Sequence, residues 1–213
     1  MIAKLIPITF LVAGIFVLVQ IVLPIINFKL WEVSNIEEKS ILVSPASESN
    51  KVLGVSIQNT EDNFPALVSF SKRDFIPYSQ FLISIPNLDI EEAKVFVESN
   101  DLKAGLAHLP GTALPGEKGN IFISGHSAIP IVYNGNKNYG AIFANLHKLE
   151  KGDLIKISAG GDFTYSVLGI KVVDPKDVSV VLPPDGVGRY ISLMTCVPPG
   201  LNTKRLVVIG KMI

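Results

Sequence analysis

The stretch Ile191-Ser-Leu-Met-Thr195-Cys196-Val-Pro-Pro-Gly200, followed nine positions after its cysteine by Arg205 and the apolar run Leu206-Val-Val-Ile209, decides how the chain is read. β-Formers that run into Pro-Pro-Gly predict a strand stopped abruptly, and Arg205 opens the strand that returns from the loop. Cys196 and Arg205 then face each other across one hairpin mouth, where directly opposed residues have Cβ atoms only ~4.5–5.5 Å apart.

Upstream of this hairpin, from Tyr78 onward, short runs of β-formers alternate with turn signals, which predicts an all-β barrel or sandwich. The expected strands are Phe81–Ile85, Ala93–Val97, Ile121–Ser124, Leu154–Ser158, Phe163–Val173, Tyr190–Thr195 and Arg205–Lys211. Ala159-Gly160-Gly161-Asp162 supplies the positive φ angles of a tight hairpin, and Glu117-Lys-Gly-Asn120 makes a turn before the Ile121 strand. Between them, Ile142, Phe143, Leu146 and Leu149 stand at helical spacing, which predicts one short helix.

Further upstream, Asn27 to Pro77 mixes short apolar pieces (Lys51 to Ile57, Ala66 to Phe70) with polar clusters such as Ser44-Pro-Ala-Ser-Glu-Ser-Asn50, and reads as a linker with some docked structure. The N-terminus is different. Leu5 to Ile26 is apolar and carries no charge between Lys4 and Lys29. A run of this length spans ~30 Å of hydrocarbon as a helix, and no small-x-small cleavage site follows it, so a retained signal anchor is expected. Lys4 and the N-terminal amine favour an inside N-terminus and an exported domain.

Lys+Arg and Asp+Glu number 19 each, which leaves no basic field for nucleic acid. The one cysteine cannot form an intramolecular disulfide, so an exported domain carries a lone thiol, either reactive or a small buried hydrophobe. A reactive cysteine attacks as thiolate and needs a base or cation beside it, and acyl transfer needs a donor for the developing oxyanion. Of the three histidines, His126 ends the strand Asn120-Ile-Phe-Ile-Ser-Gly125 where the Gly- and Asn-rich loop Ser127 to Gly140 begins. Strand ends bordering loops are where sites are built, so His126 is the best candidate partner for Cys196. His108 lies near a turn, and His147 is expected to point to solvent from the helix. One Cys and three scattered His offer no zinc-ligand spacing.

Taken together, these residues resemble the sortase family. Gly119-Asn120-Ile-Phe-Ile-Ser-Gly125-His126 is similar to that family's strand bearing the catalytic His, and Thr195-Cys196-x-Pro-x-Gly200 with Arg205 is similar to its Thr-Leu-x-Thr-Cys…Arg signature. Ser192-Leu193 stands where the family has Thr-Leu. His108-Leu-Pro-Gly-Thr-Ala-Leu-Pro-Gly116 resembles a further stretch of many sortases. The match runs from about Phe81 to Ile213.

The resemblance implies an eight-stranded β-barrel with one or two short helices behind a single transmembrane helix. Residues 1–4 would be cytoplasmic, 5–26 the anchor, 27–77 the linker and 78–213 the extracellular catalytic domain. It implies that Cys196 attacks the Thr carbonyl of a Leu-Pro-x-Thr-Gly-type sorting motif, that His126 is the acid and then the base, and that Arg205 steadies substrate or oxyanion. The partners would be proteins with a C-terminal sorting signal and an amine acceptor, either a cell-wall precursor or a pilin lysine. Thr195, His108, Val181 and Leu182 are expected substrate-binding residues, the last two within an apolar set with Val178 and Val180.

No cofactor is expected. Some sortases are activated by calcium at an acidic cluster, but Glu91, Glu92, Asp101 and Glu117 are scattered and predict no site. Pilin-polymerising sortases often carry a lid with Asp-Pro-aromatic, whereas here the sequence is Asp62-Asn-Phe64-Pro65. The internal Leu109-Pro-Gly-Thr-Ala113 resembles a sorting motif but lacks a sorting signal's C-terminal setting. Two other readings are an L,D-transpeptidase-like cell-wall enzyme and a non-catalytic membrane-tethered binding module on a sortase-like barrel. Leu193-Met194-Thr195 in place of Ser-x-Gly before the cysteine argues against the first, and joint retention of Cys, His and Arg argues against the second.

Overall fold

Period-two alternation in the sequence becomes alternate burial: in Gln80–Ile85, Phe81, Ile83 and Ile85 are buried while their neighbours are not. The computed structural model describes residues 2–36, 51–52, 55–59, 65–67, 77–102, 104–129 and 139–213. The polar cluster Ser44 to Asn50, the Asp62-Asn-Phe64 segment and residues 130–138 of the loop after His126 lie outside the described residues. The chain divides into two compact units, Met1–Glu38 and Lys39–Ile213.

In the first unit, α1 (Ile2–Val17) passes through a π-helical turn (Leu18–Val22) into α2 (Leu23–Ile36). The turn has a backbone cause: Pro24 has no N–H to give to a carbonyl four residues back, and just before it the Leu23 N–H reaches back to Leu18 O. Ile6–Ser34, 29 residues with a mean hydropathy of 2.6 over its apolar window, is long and apolar enough to cross a membrane. The helix thus continues past Ile26, where the apolar run of the sequence ends.

In the second unit, β1 (Lys51–Val52), β2 (Val55–Asn59) and β3 (Pro65–Leu67) form a small antiparallel sheet. The remaining strands are β4 (Gln80–Ile85), β5 (Ile90–Phe96), β6 (Leu106–His108), β7 (Gly119–Ser124), β8 (Leu154–Ser158), β9 (Asp162–Val173), β10 (Arg189–Val197) and β11 (Lys204–Met212). They close an eight-stranded barrel in the order β10-β11-β9-β8-β4-β5-β6-β7. Only β5–β6 and β7–β10 pair in parallel among these neighbours.

All seven expected barrel strands are present, and β6 is the one the sequence did not announce. Its three residues are all buried, so they show no alternation. It is found by its neighbours, with Val95 paired to Leu106 and Ala107 to Ser124. The short helix expected around residues 139–149 is instead a run of turns with one 3-10 turn, Leu146–Lys148. Phe143, Leu146 and Leu149 are buried as their spacing requires, but the Phe143 N–H donates to His126 O (3.0 Å). A segment this short does not hold a helix by itself, and a tertiary bond takes its amide.

The barrel strands bury both faces. Ile83, Ile123, Leu193 and Val208 are fully enclosed on one. On the other, Ala107, Phe122, Met194 and Val207 pack with Leu109 and with Val180 and Val181 of a 3-10 turn, Val178–Val181, in the connection from β9 to β10. Asn120 Nδ2 donates to Val181 O (3.0 Å) and Ser192 Oγ to Asn120 Oδ1 (3.1 Å), so a buried amide and hydroxyl tie that turn to β7 and β10.

Candidate active site

The parallel pairing of β7 with β10 sets Ser124 beside Met194. Side chains alternate along strands, so the residues two further on, His126 and Cys196, emerge on that same face. On the other edge of β10, antiparallel pairing puts Arg205 directly opposite Cys196. Neighbouring strands are ~4.8 Å apart, so three adjacent strand ends deliver imidazole, thiol and guanidinium to one face in that order. His126 and Cys196 are half-buried and line a cleft of about 460 Å³ with Ser127, Ala128, Gly140, Gly200, Leu201 and Asn202. A thiol between a potential proton carrier and a fixed cation has the surroundings nucleophilic acyl transfer requires.

Two glycines shape this end of the barrel. A Cβ on Gly125 would come within 2.5 Å of Leu106 and Phe143, so only glycine lets β7 turn into His126 against those side chains. Gly200 has φ +80°, and a Cβ there would sit 2.6 Å from Ile129 Cγ1. The peptide between Val197 and Pro198 is cis, and the Leu201 N–H returns to Pro198 O (2.8 Å). β10 ends at Val197, one residue beyond Cys196 and just before Pro198-Pro199-Gly200, with the thiol at the rim.

Arg205 is 1% exposed, unusual for an arginine, and its Nη1 donates to Asn202 O and Lys204 O, both at 3.1 Å. The guanidinium is thereby held by the carbonyls of the same loop that lines the cleft. The planar fork is thereby fixed opposite Cys196 in the β10–β11 register.

The other four sequence candidates stand elsewhere. Thr195 points away from Cys196, is 1% exposed, and gives its hydroxyl to Gly125 O at 2.7 Å. His108 is fully buried: its Nδ1 accepts the Glu98 N–H (3.3 Å), which leaves Nε2–H to face Ala113 O and Thr112 Oγ1, both at 3.0 Å. Neither lines the cleft. Val181 is buried in the apolar layer and Leu182, just after it, is half-buried. Cys196 and Val178 pack against that same layer from its edge, so the apolar set adjoins the thiol. The Leu109-to-Thr112 segment is folded in, with Leu109 bonded to Phe122 O and the Thr112 hydroxyl to Leu109 O.

His147 is half-buried rather than solvent-facing, and burial, with Lys148 beside it, holds its pKa below the usual histidine range. Ser127 was not singled out from sequence. It lines the cleft, and its only sequence signal is that it follows His126.

A sortase-domain model matches residues 83–213. The chain is similar to sortase D of Bacillus subtilis (strain 168), with 25% identity over 192 residues that cover 88% of this chain and 89% of that protein. It is similar to sortase A of Bacillus anthracis, with 34% identity over 62% of this chain and 58% of that protein. Among solved structures, a sortase D5 transpeptidase of Clostridium perfringens aligns with a TM-score of 0.53 and 28% identity, covering 63% of this chain and 79% of that one.

Proposed function

The chain belongs to the sortase family, whose members are cysteine transpeptidases acting on proteins that bear sorting signals, and we propose that it cuts a Leu-Pro-x-Thr-Gly-type motif with Cys196, His126 and Arg205. Cys196 Sγ attacks the Thr carbonyl carbon, and Arg205 offsets the charge gathering on the carbonyl oxygen. The Thr–Gly C–N bond then breaks as His126 gives a proton to the departing Gly amine, leaving a thioester on Cys196. An acceptor amine attacks the thioester and gives its proton to His126. The C–S bond breaks, and the amide product leaves with the Cys196 thiolate and the protonated His126 restored. The acceptor is a cell-wall precursor or a pilin lysine. The reactive protonation state, thiolate with imidazolium, belongs to the pair, and a small population of it suffices.

The observation that supports this reading most is the shared face: parallel β7–β10 and antiparallel β10–β11 pairing bring the three groups together from positions far apart in sequence. Thr195 and His108 serve by holding the ends of β7 and β6. Val181 and Leu182 belong to the apolar wall that receives the Leu and Pro of the motif. The N-terminal helix, whose stretch Ile6–Ser34 includes an apolar window long enough to cross a membrane, anchors the enzyme by a single span with residues 78–213 outside.

The test uses the full chain in lipid nanodiscs with quenched Leu-Pro-x-Thr-Gly peptides and hydroxylamine. The expected products are a peptide ending in a Thr hydroxamate and a free Gly amine, with none from Cys196→Ala. Equal cleavage by Cys196→Ala would sink the nucleophile assignment. No cleavage across a panel of motifs would return the chain to the binding-module reading.

A further inference from the structure

The β7–β10 ladder does not simply stop where the site begins. The Gly125 N–H donates to Met194 O (3.0 Å), and beyond it two side-chain hydroxyls take over. Thr195 Oγ1 donates to Gly125 O (2.7 Å) and Ser127 Oγ donates to Cys196 O (2.5 Å). These two carbonyls are where a continued parallel ladder would place its next acceptors. Ser127 also accepts, at its own carbonyl, the N–H of Gly200 (2.7 Å), the residue that completes the stop after β10.

Ser127 is 5% exposed and adjoins His126, whose carbonyl is held by the Phe143 N–H. Its hydroxyl therefore links the residue next to the imidazole with the backbone of the residue that carries the thiol. We propose that Ser127 is a positioning residue, its hydroxyl bond to the Cys196 carbonyl fixing the separation of thiol and imidazole. The inference rests on Cys196 and His126 being the reacting pair.

Two features make a hydroxyl suited to this place. A Ser side chain bonds a neighbouring strand without requiring ladder spacing, so His126 can leave the sheet while staying tied to it. And the bond ends on Cys196 itself, so any slackening is passed directly to the thiol. A displacement of about 1 Å between reacting groups costs on the order of 10²-fold in rate, whereas substrate binding along the apolar wall does not depend on it.

The full chain in nanodiscs is assayed as Ser127→Ala and Ser127→Thr, with a quenched Leu-Pro-x-Thr-Gly peptide and hydroxylamine, and by iodoacetamide alkylation of Cys196 across pH. For Ser127→Ala, kcat is expected to fall about 10- to 100-fold with KM within about twofold of wild type, and the alkylation profile to move along the pH axis. Ser127→Thr, which keeps the hydroxyl, is expected to recover most of kcat. Each kcat is taken per mole of folded protein, counted by circular dichroism.

A wild-type kcat and alkylation profile in Ser127→Ala overturns the proposal. So does a loss that vanishes once folded protein is counted, since the bond would then serve stability alone. A folded Ser127→Thr as slow as Ser127→Ala overturns it as well. Full activity of Cys196→Ala is a separate result that removes the reacting pair itself. Alkylation needs no peptide, so a poorly chosen motif leaves that arm intact.

Discussion

The two ends of β10 are built from different materials. At its start, Asp185 accepts the Val187 and Gly188 amides (3.0 and 2.6 Å) and the Tyr190 hydroxyl, while Arg189 Nε donates to Gly116 O (2.8 Å). Apart from the Arg189 bond, these link residues two to five positions apart. At its end, Thr195 bonds Gly125 and Ser127 bonds Cys196 across 70 and 69 positions. The start is a turn that closes on itself through one carboxylate. The end adds to its local bonds, Leu201 N–H to Pro198 O and Thr203 Oγ1 to Val197 O, these ties between distant strands, and it is there that the thiol stands.

The difference teaches that strength and placement are separate tasks. Local bonds around Asp185 fix a turn however the rest of the barrel sits. Non-local bonds around Cys196 exist only once the barrel has closed, so the site is assembled at the moment of folding and inherits its precision from register.

The comparison is broken most severely by removing the reacting groups. Cys196→Ala is expected to abolish transpeptidation, and His126→Gln to lower kcat by about 10²–10⁴-fold, with thermal unfolding of both nearly unchanged, read by peptide turnover and calorimetry. Arg205→Lys comes next. It keeps the charge but loses the fork that reaches Asn202 O and Lys204 O, and kcat is expected to fall about 10²-fold at little change in KM.

Gly200→Ala tests whether the stop after Cys196 is sterically set. It forces a side chain onto φ +80° and against Ile129, at a cost of about 1–3 kcal/mol in chemical denaturation. Adding Ile129→Ala should recover the part due to the clash but not the part due to φ.

The smallest effect belongs to the start of the strand. Tyr190→Phe should lower Tm by roughly 2–4 °C and leave kcat per folded molecule at its wild-type value. Its pH signature is specific. The bond to Asp185 pushes the Tyr190 pKa up to about 12, so the neutral phenol's contribution is present below its ordinary value of 10 and lost as pH rises toward 12. Asp185 is held below its ordinary value, first by the Tyr190 hydroxyl and then by the Gly188 and Val187 amides. Its contribution is present above the usual carboxylate range and fades as pH falls through the lowered pKa. Tyr190→Phe should lose the alkaline limb and weaken the acid one in urea midpoints measured across pH. A loss of activity equal to that of Arg205→Lys would erase the distinction between the two ends.

Much of the barrel was legible because its strands alternate and its turns use Gly, Pro and Asn. Strand β6 was not, since three consecutive buried residues show no period and its neighbours supply the pairing. The helix expected near residue 143 was misread because helical spacing records which side chains are buried, not which carbonyl takes the amide. Cys196 and Arg205 could be paired from a single hairpin. His126 could be named as their partner only from its place at a strand end, and its register beside Cys196 stayed hidden, because a parallel partner leaves no turn in the sequence to announce it.

By itself, the sequence determined the β class, the apolar N-terminal helix, and the thiol and arginine on opposed strands, because these depend on periods and turns within a few residues. Only the tertiary structure decided that Thr195 faces away from the cleft, that His108 is locked inside by three bonds, and that Ser127 grips the carbonyl of Cys196. The bonds of His108 reach four to ten positions along the chain, but those of Thr195 and Ser127 depend on register between strands 70 and 69 positions apart. A shift of one residue there would turn every side chain to the other face, and no local pattern encodes that choice.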